Sequence, residues 1–135
     1  MRVSLDAGAY KPKRAHPTDA GMDIRSPIDI TVKARGSAII PTGVHVEVRN
    51  AAGLILPKSG LNIKNDILSF GVVDEGYDGQ VVVKLYNLGD SDYEVHAGDK
   101  ITQMLIAEVR YECIEVVDRI ESGERGSNGF GSTGK

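Results

Sequence analysis

The chain is written as short segments in which apolar and polar side chains alternate. Ile28-Asp29-Ile30-Thr31-Val32 and Val44-His45-Val46-Glu47-Val48 show the pattern plainly, and Leu54-Ile55-Leu56 and residues 81–85, 101–107 and 113–117 add further apolar runs. A period of two sends successive side chains to opposite faces, which is the geometry of a strand and not of a helix. Turn signals punctuate the segments: Pro27, Ala34-Arg35-Gly36, Pro41-Thr42-Gly43, Asn50, Leu88-Gly89-Asp90 and Ala97-Gly98-Asp99. One short helical turn is expected, at residues 61–64 after Ser59. Many short strands separated by Gly and Pro confine the chain to an all-β sandwich, jelly roll or closed barrel.

With 135 residues, 41% of them hydrophobic and 26% charged, the chain is expected to form one domain with a real core. Sixteen basic residues against nineteen acidic ones give a net charge of −3. That balance argues against a nucleic-acid duplex or an anionic membrane as the main partner, because there is no basic surplus to neutralise phosphates. A small anion held by a few placed cations remains open. Cys113, the single cysteine, excludes an intramolecular disulfide and is expected as a small buried residue on a strand at 113–117. The N-terminus lacks the apolar stretch of a signal peptide and no run has membrane length, so a soluble, cytoplasmic protein is expected.

Five stretches depart from the plain β pattern. In Thr18-Asp19-Ala20-Gly21-Met22-Asp23-Ile24 two carboxylates bracket a small pair just before a strand; polar Asx-turns explain them equally. In Leu56-Pro57-Lys58-Ser59-Gly60 a cation, a hydroxyl and a glycine meet where a helical turn can open, a place suited to an anion or to an ordinary cap. Residues 70–83 read as a hairpin with an irregular tip, carrying Asp74 and Tyr77 among Gly71, Gly76 and Gly79. Gly98-Asp99-Lys100-Ile101-Thr102-Gln103 places an amide, Gln103, in an apolar strand. There a buried amide must find partners or cost about 1–3 kcal/mol, and a solvent-facing position is the weaker reading. The tail from Gly123 to Lys135 holds five of the chain's 16 glycines. By composition it is a linker, yet Arg125 and Phe130 give it a cation and a stacking face that a linker does not need.

In this order the five stretches resemble the motif set of the trimeric dUTP pyrophosphatase (dUTPase) family, over nearly the whole chain from residue 18. The resemblance implies a jelly-roll-like distorted barrel over residues 1–120 and a glycine-rich C-terminal arm, 121–135, that closes over a neighbouring subunit's site in a homotrimer. It implies hydrolysis of dUTP to dUMP and pyrophosphate, limiting dUTP and supplying dUMP for thymidylate synthesis. Asp74 would activate water for attack on the α-phosphorus, and Ser59 would stabilise the leaving pyrophosphate. Tyr77 would pack under the deoxyribose, and the backbone at Gly71, Val72, Val73 and Val82 would read uracil. Lys58, Ser59, Gly60, Gln103, Arg125, Gly131, Ser132 and Thr133 would bind phosphates, with Phe130 stacked on the base. Mg²⁺ would ride on the phosphates and water with no direct protein ligand, Asp23 supporting it at most through water. Three positions differ from the family pattern: Lys58 replaces an Arg and its planar fork, Gly76 replaces an Asp, and Asn128 replaces a Gly. A dCTP deaminase-like enzyme and a nucleotide-gated protein-binding regulator on the same fold are the alternatives.

Overall fold

A computed structural model describes residues 1–120. In chain order its elements are β1 (Arg2–Leu5), β2 (Met22–Arg25), β3 (Ile30–Val32), β4 (Ser37–Glu47), β5 (Ala51–Leu56), α1 (Ser59–Asn65), β6 (Ile67–Ser69), β7 (Gly71–Val73), β8 (Gln80–Asn87), β9 (Tyr93–Val95) and β10 (Lys100–Glu108). The strands pair antiparallel into a four-stranded sheet β1-β4-β8-β6, a second sheet β2-β10-β5-β7 and a ribbon β3-β9. The expected all-β class is what is observed, with open sheets and no closed barrel among the described residues.

Alternation explains why these segments pair as they do. In β8, Val81, Val83 and Leu85 point inward while Val82, Lys84 and Tyr86 point out. The inward set packs with Ile40, Val44 and Val46 of β4 and with Ile24, Ile55 and Met104 of the other sheet in one core. Where a polar residue takes an inward position it is fully partnered, as buried groups must be. Asn87 Nδ2 donates to the carbonyls of Val32 at 2.9 Å and Ser91 at 2.8 Å, and its Oδ1 accepts from the Gly89 amide. Thr102 Oγ1 donates to the Leu56 carbonyl at 2.8 Å and lies 2.7 Å from Ser69 Oγ. A hydroxyl has one proton, so Ser69 must be the donor in that pair. The two hydroxyls thereby pin the end of β6 to β10 and β5, at the place where the chain leaves one sheet for the other.

Two expectations fail. Residues 113–117 form no strand, and Cys113 is exposed. A strand needs a neighbour for its backbone groups, and among the described residues nothing pairs with this segment; Ile114 and Val116 are 94% and 93% exposed. Gln103 is only half-buried, against the reading that placed it in the core. A bulge between Lys100 and Thr102 turns both Ile101 and Thr102 inward, which breaks the parity that the sequence implied. The helical turn expected at 61–64 is α1, closed by Asp66 in the left-handed region. No helix of the described residues is long and apolar enough to cross a membrane.

Candidate active site

Residues 67–87 form a hairpin only at the base. There Ile67, Leu68 and Ser69 pair with Asn87, Tyr86 and Leu85. Extended, this register would set Val72 opposite Val82, but the arms part first. Gly71, Val72 and Val73 pair instead with Ile55, Leu54 and Gly53 of β5, whereas Pro41 of β4 takes Val82. β7 is the last strand of its sheet, and β6 covers β8 only over Leu85–Asn87, so each arm keeps one edge without a ladder partner. The expected hairpin is therefore an open fork, closed below by the Ser69–Thr102 contact. Val73 is anchored in the core and contributes only backbone to the fork, while Val72 and Val82 are exposed.

The tip, residues 74–79, joins the two prongs. Asp74 follows the buried Val73 directly and is exposed, its carbonyl accepting from the Tyr77 amide at 3.3 Å. Tyr77 donates its hydroxyl to the Gln80 carbonyl at 2.9 Å, so its ring lies across Gly79. Gly76 has φ +83°, a conformation glycine adopts without strain. Glu75 moors the tip from one side: its carboxylate accepts from the Tyr111 hydroxyl at 2.7 Å and the Asn50 amide at 3.1 Å. Those two bonds, with Arg49 nearby, hold Glu75 below the usual carboxylate range.

A second group gathers around Asp23. Its register partner across β2 and β10 is Gln103, which in turn pairs with Leu56 of β5, so three of the five stretches meet in one row of the sheet. Asp23 is buried with one carboxylate oxygen on the Lys58 ammonium and the other 2.7 Å from that of Lys100. Burial alone would push its carboxyl up; the hydrogen bonds and charges of Lys100 and Lys58 outweigh that and hold it below the usual range. Gln103 donates to the Pro57 carbonyl at 3.1 Å and lies so close over Gly21 that a β-carbon there would collide with it. It thus steadies the turn that presents Lys58, Ser59 and Gly60. Ser59 and Gly60 are exposed in the first turn of α1, where backbone amides have no intrahelical acceptor. Asp19 follows the plainer reading, its carboxylate capping the His16 amide in a local turn.

Lys100 was not singled out by sequence reasoning, although a cation after Gly98-Asp99 and opposite an acidic strand was its available signal. The tip of the fork and the Asp23 group do not meet within one chain. β7 runs antiparallel to β5, so Gly71 lies beside Ile55 near Pro57, and Asp74 follows Val73 at the far end beside Gly53. Strand rise alone separates those ends by roughly 10 Å. Arg125, Phe130, Gly131, Ser132 and Thr133, together with the expected arm at 121–135, lie outside the described residues. Among the described residues no three of His, Cys, Asp and Glu cluster to hold a metal ion.

The dUTPase family model matches residues 8–134. A deoxyuridine 5'-triphosphate nucleotidohydrolase of Gloeothece citriformis (strain PCC 7424) is 40% identical over 136 residues, covering 98% of this chain and 94% of the relative. Among solved structures, a Staphylococcus bacteriophage 80alpha dUTPase with dUPNHPP superposes with a TM-score of 0.88 at 29% identity, covering 99% of this chain and 98% of that one. A mutant dUTPase from phage phi11 of S. aureus, which coordinates a structural Mg(II) ion, superposes with a TM-score of 0.82 at 25% identity over 90% of this chain and 98% of that one.

Proposed function

The chain belongs to the dUTPase family, and on that premise we propose that it hydrolyses dUTP to dUMP and pyrophosphate with Asp74 as the base that activates water. The observation that carries the reading is the open fork: two free backbone edges held apart by a closed base, with an acid and a phenol at the rim. A flat heterocycle entering the fork meets alternating N–H and C=O groups of Gly71, Val72, Val73 and Val82. Uracil can match such edges, whereas cytosine brings a donor where an acceptor is needed, and a site left with unpaired polar groups discriminates strongly. A thymine methyl is opposed by volume in the same place. Tyr77, held by Gln80, offers its ring to the deoxyribose and leaves no room for a 2′-hydroxyl.

At the phosphate end Lys58, Ser59, Gly60 and Gln103 supply a charge, a hydroxyl, a free amide and an amide donor. Their roles are to bind the chain of phosphates and stabilise the leaving pyrophosphate. Asp23 keeps the Lys58 ammonium in place, and a lysine there retains the charge while giving up the two-pronged grip of an arginine. Mg²⁺ carried with the triphosphate would supply neutralising charge to the phosphates. The described residues offer no cage for it, and both oxygens of Asp23 are already engaged. Because one chain keeps Asp74 at the tip of its fork and its phosphate group toward opposite ends of a sheet, the reading completes each site with a neighbouring copy in a homotrimer. The arm residues Arg125, Phe130, Gly131, Ser132 and Thr133 would close over it. The product supplies dUMP for thymidylate synthesis while keeping dUTP low.

The test is to incubate the protein and Mg²⁺ with dUTP, UTP and dCTP and follow pyrophosphate and ammonia. Pyrophosphate from dUTP alone is expected, and Asp74→Asn should lower the rate by about 10³-fold or more while nucleotide binding persists. Ammonia from dCTP would move the protein to a deaminase. A nucleotide-gated protein-binding role is a second reading, favoured by the 80alpha neighbour, described among phage dUTPases that control transfer of virulence genes by a G protein-like mechanism. Tight binding without turnover would select it.

A further inference from the structure

The tip of the fork is moored on a second side, by a residue that neither the family motifs nor the reading above uses. The ladder between β4 and β8 shifts register between Pro41 and His45, around Thr42 and Gly43. Thr42 is buried there, donating to the Val81 carbonyl at 2.6 Å, and Gly43 has φ +66° with Asp6 packed so close that a β-carbon would meet it at 3.2 Å. An irregularity of this kind re-aims the next side chain. Here that side chain is His45. Its Nδ1 lies 3.0 Å from the Asp78 carbonyl, and its Nε2 lies 3.2 Å and 3.3 Å from the two carboxylate oxygens of Asp6.

We propose that His45 is a positioning residue for the reaction: it ties the Asp78 carbonyl to the Asp6 carboxylate, and so fixes the bend that carries Asp74 and Tyr77. The inference rests on the assignment of Asp74 and Tyr77 to catalysis and substrate binding. Both groups facing the ring are acceptors, and a neutral imidazole carries only one N–H. Only the imidazolium makes both bonds, so loss of its proton releases one end of the tether. The Asp78 carbonyl first, and then Asp6, push the His45 pKa up.

The Asp78 carboxylate also favours the imidazolium, and the remaining charges around it do not compete for the ring. His45 stands in the wall of a cleft of about 550 Å³ between β1, β4 and the tip. In that cleft Arg2 of β1 is engaged with Glu47, and Arg49 shares the same carboxylate. Across the ladders, Ser4 and Gln80 are uncharged and Tyr77 is bound to the Gln80 carbonyl. A histidine held as imidazolium by the fold contributes fully below its ordinary pKa of about 6.5, and the contribution fades as pH rises through the raised value. The bend should therefore be firmest in mild acid and loosen on the basic side.

The experiment compares kcat and KM for dUTP from about pH 6 to about pH 9 in the full chain and in His45→Gln and Asp6→Asn. In the unaltered protein kcat should fall roughly threefold through the raised His45 pKa. His45→Gln, which keeps one donor and cannot titrate, should lose that limb and run at a pH-independent rate roughly threefold below the acid plateau. Asp6→Asn should move the limb to lower pH. A merely structural role would lower the melting temperature of the variants and leave the limb where it is. Retention of the wild-type limb by His45→Gln overturns the proposal, as does an unmoved limb in Asp6→Asn should His45→Gln fail to fold. Asp74→Asn assayed alongside separates the two readings: turnover surviving in it rejects the catalytic assignment, whereas its loss with an unchanged His45→Gln profile rejects the tether alone.

Discussion

A β-carbon added at Gly79 falls on the ring of Tyr77, colliding with its hydroxyl end. The ring lies there because its hydroxyl is bound to Gln80, so Gly79→Ala must expel it from that position. On the role proposed for Tyr77, the expected outcome is a rise in KM for dUTP of roughly tenfold, because orientation at the sugar would be lost and the acid kept. Steady-state kinetics with a melting curve alongside would check it, the melting temperature staying near that of the parent. Turn chemistry alone does not distinguish Gly79 from Gly76, since both read as turn glycines. Their reasons differ: Gly76 needs its left-handed backbone, and Gly79 needs the absence of a side chain. His45 was equally hidden, looking like one polar residue in an alternating strand until the local shift in pairing turned it toward Asp78.

At the scale of elements, the fork depends on where one sheet hands the chain to the other. Thr102 accepts a hydrogen bond from the Ser69 hydroxyl and donates its own to the Leu56 carbonyl, and both hydroxyls are buried. Thr102→Val keeps the shape but strands the Ser69 hydroxyl and the Leu56 carbonyl, and should cost about 1–3 kcal/mol in urea unfolding. Adding Ser69→Ala should restore part of that loss, since one orphaned group is then gone. Element types were largely legible: the alternating runs at 44–48, 54–56, 81–85 and 101–107 all fall in or beside β4, β5, β8 and β10, and the short helix lies where Ser59 opens it. What the runs could not convey was partnership. Residues 70–73 and 80–83 look like the arms of an ordinary hairpin, and only competition from β5 and β4 for their edges parts them. The run at 113–117 has the composition of a strand, but composition does not supply a neighbouring edge.

For the whole molecule, the separation of Asp74 from the phosphate group makes a sharp expectation. If a site draws Asp74 from one copy and Ser59 and Gln103 from another, two dead variants can rescue each other. Asp74→Asn and Ser59→Ala with Gln103→Ala, unfolded together and refolded as a 1:1 mixture, should recover up to about a quarter of wild-type activity through hybrid trimers. Mixtures as inactive as their parents would mean that each chain builds its site alone. The residue types of the first four stretches could be picked out because carboxylate, phenol, amide and cation interrupt an otherwise alternating pattern. That the first, second and fourth meet around Asp23 while Asp74 of the third stands apart could not be read there, because it follows from the direction in which β7 lies along β5. The fork has one more consequence. A ladder with a rung missing is an unfinished piece of architecture, and a nucleobase bound there as proposed would serve as building material as well as cargo. Recognition of the right base should then register as stiffening of the protein itself, before any bond in the substrate is broken.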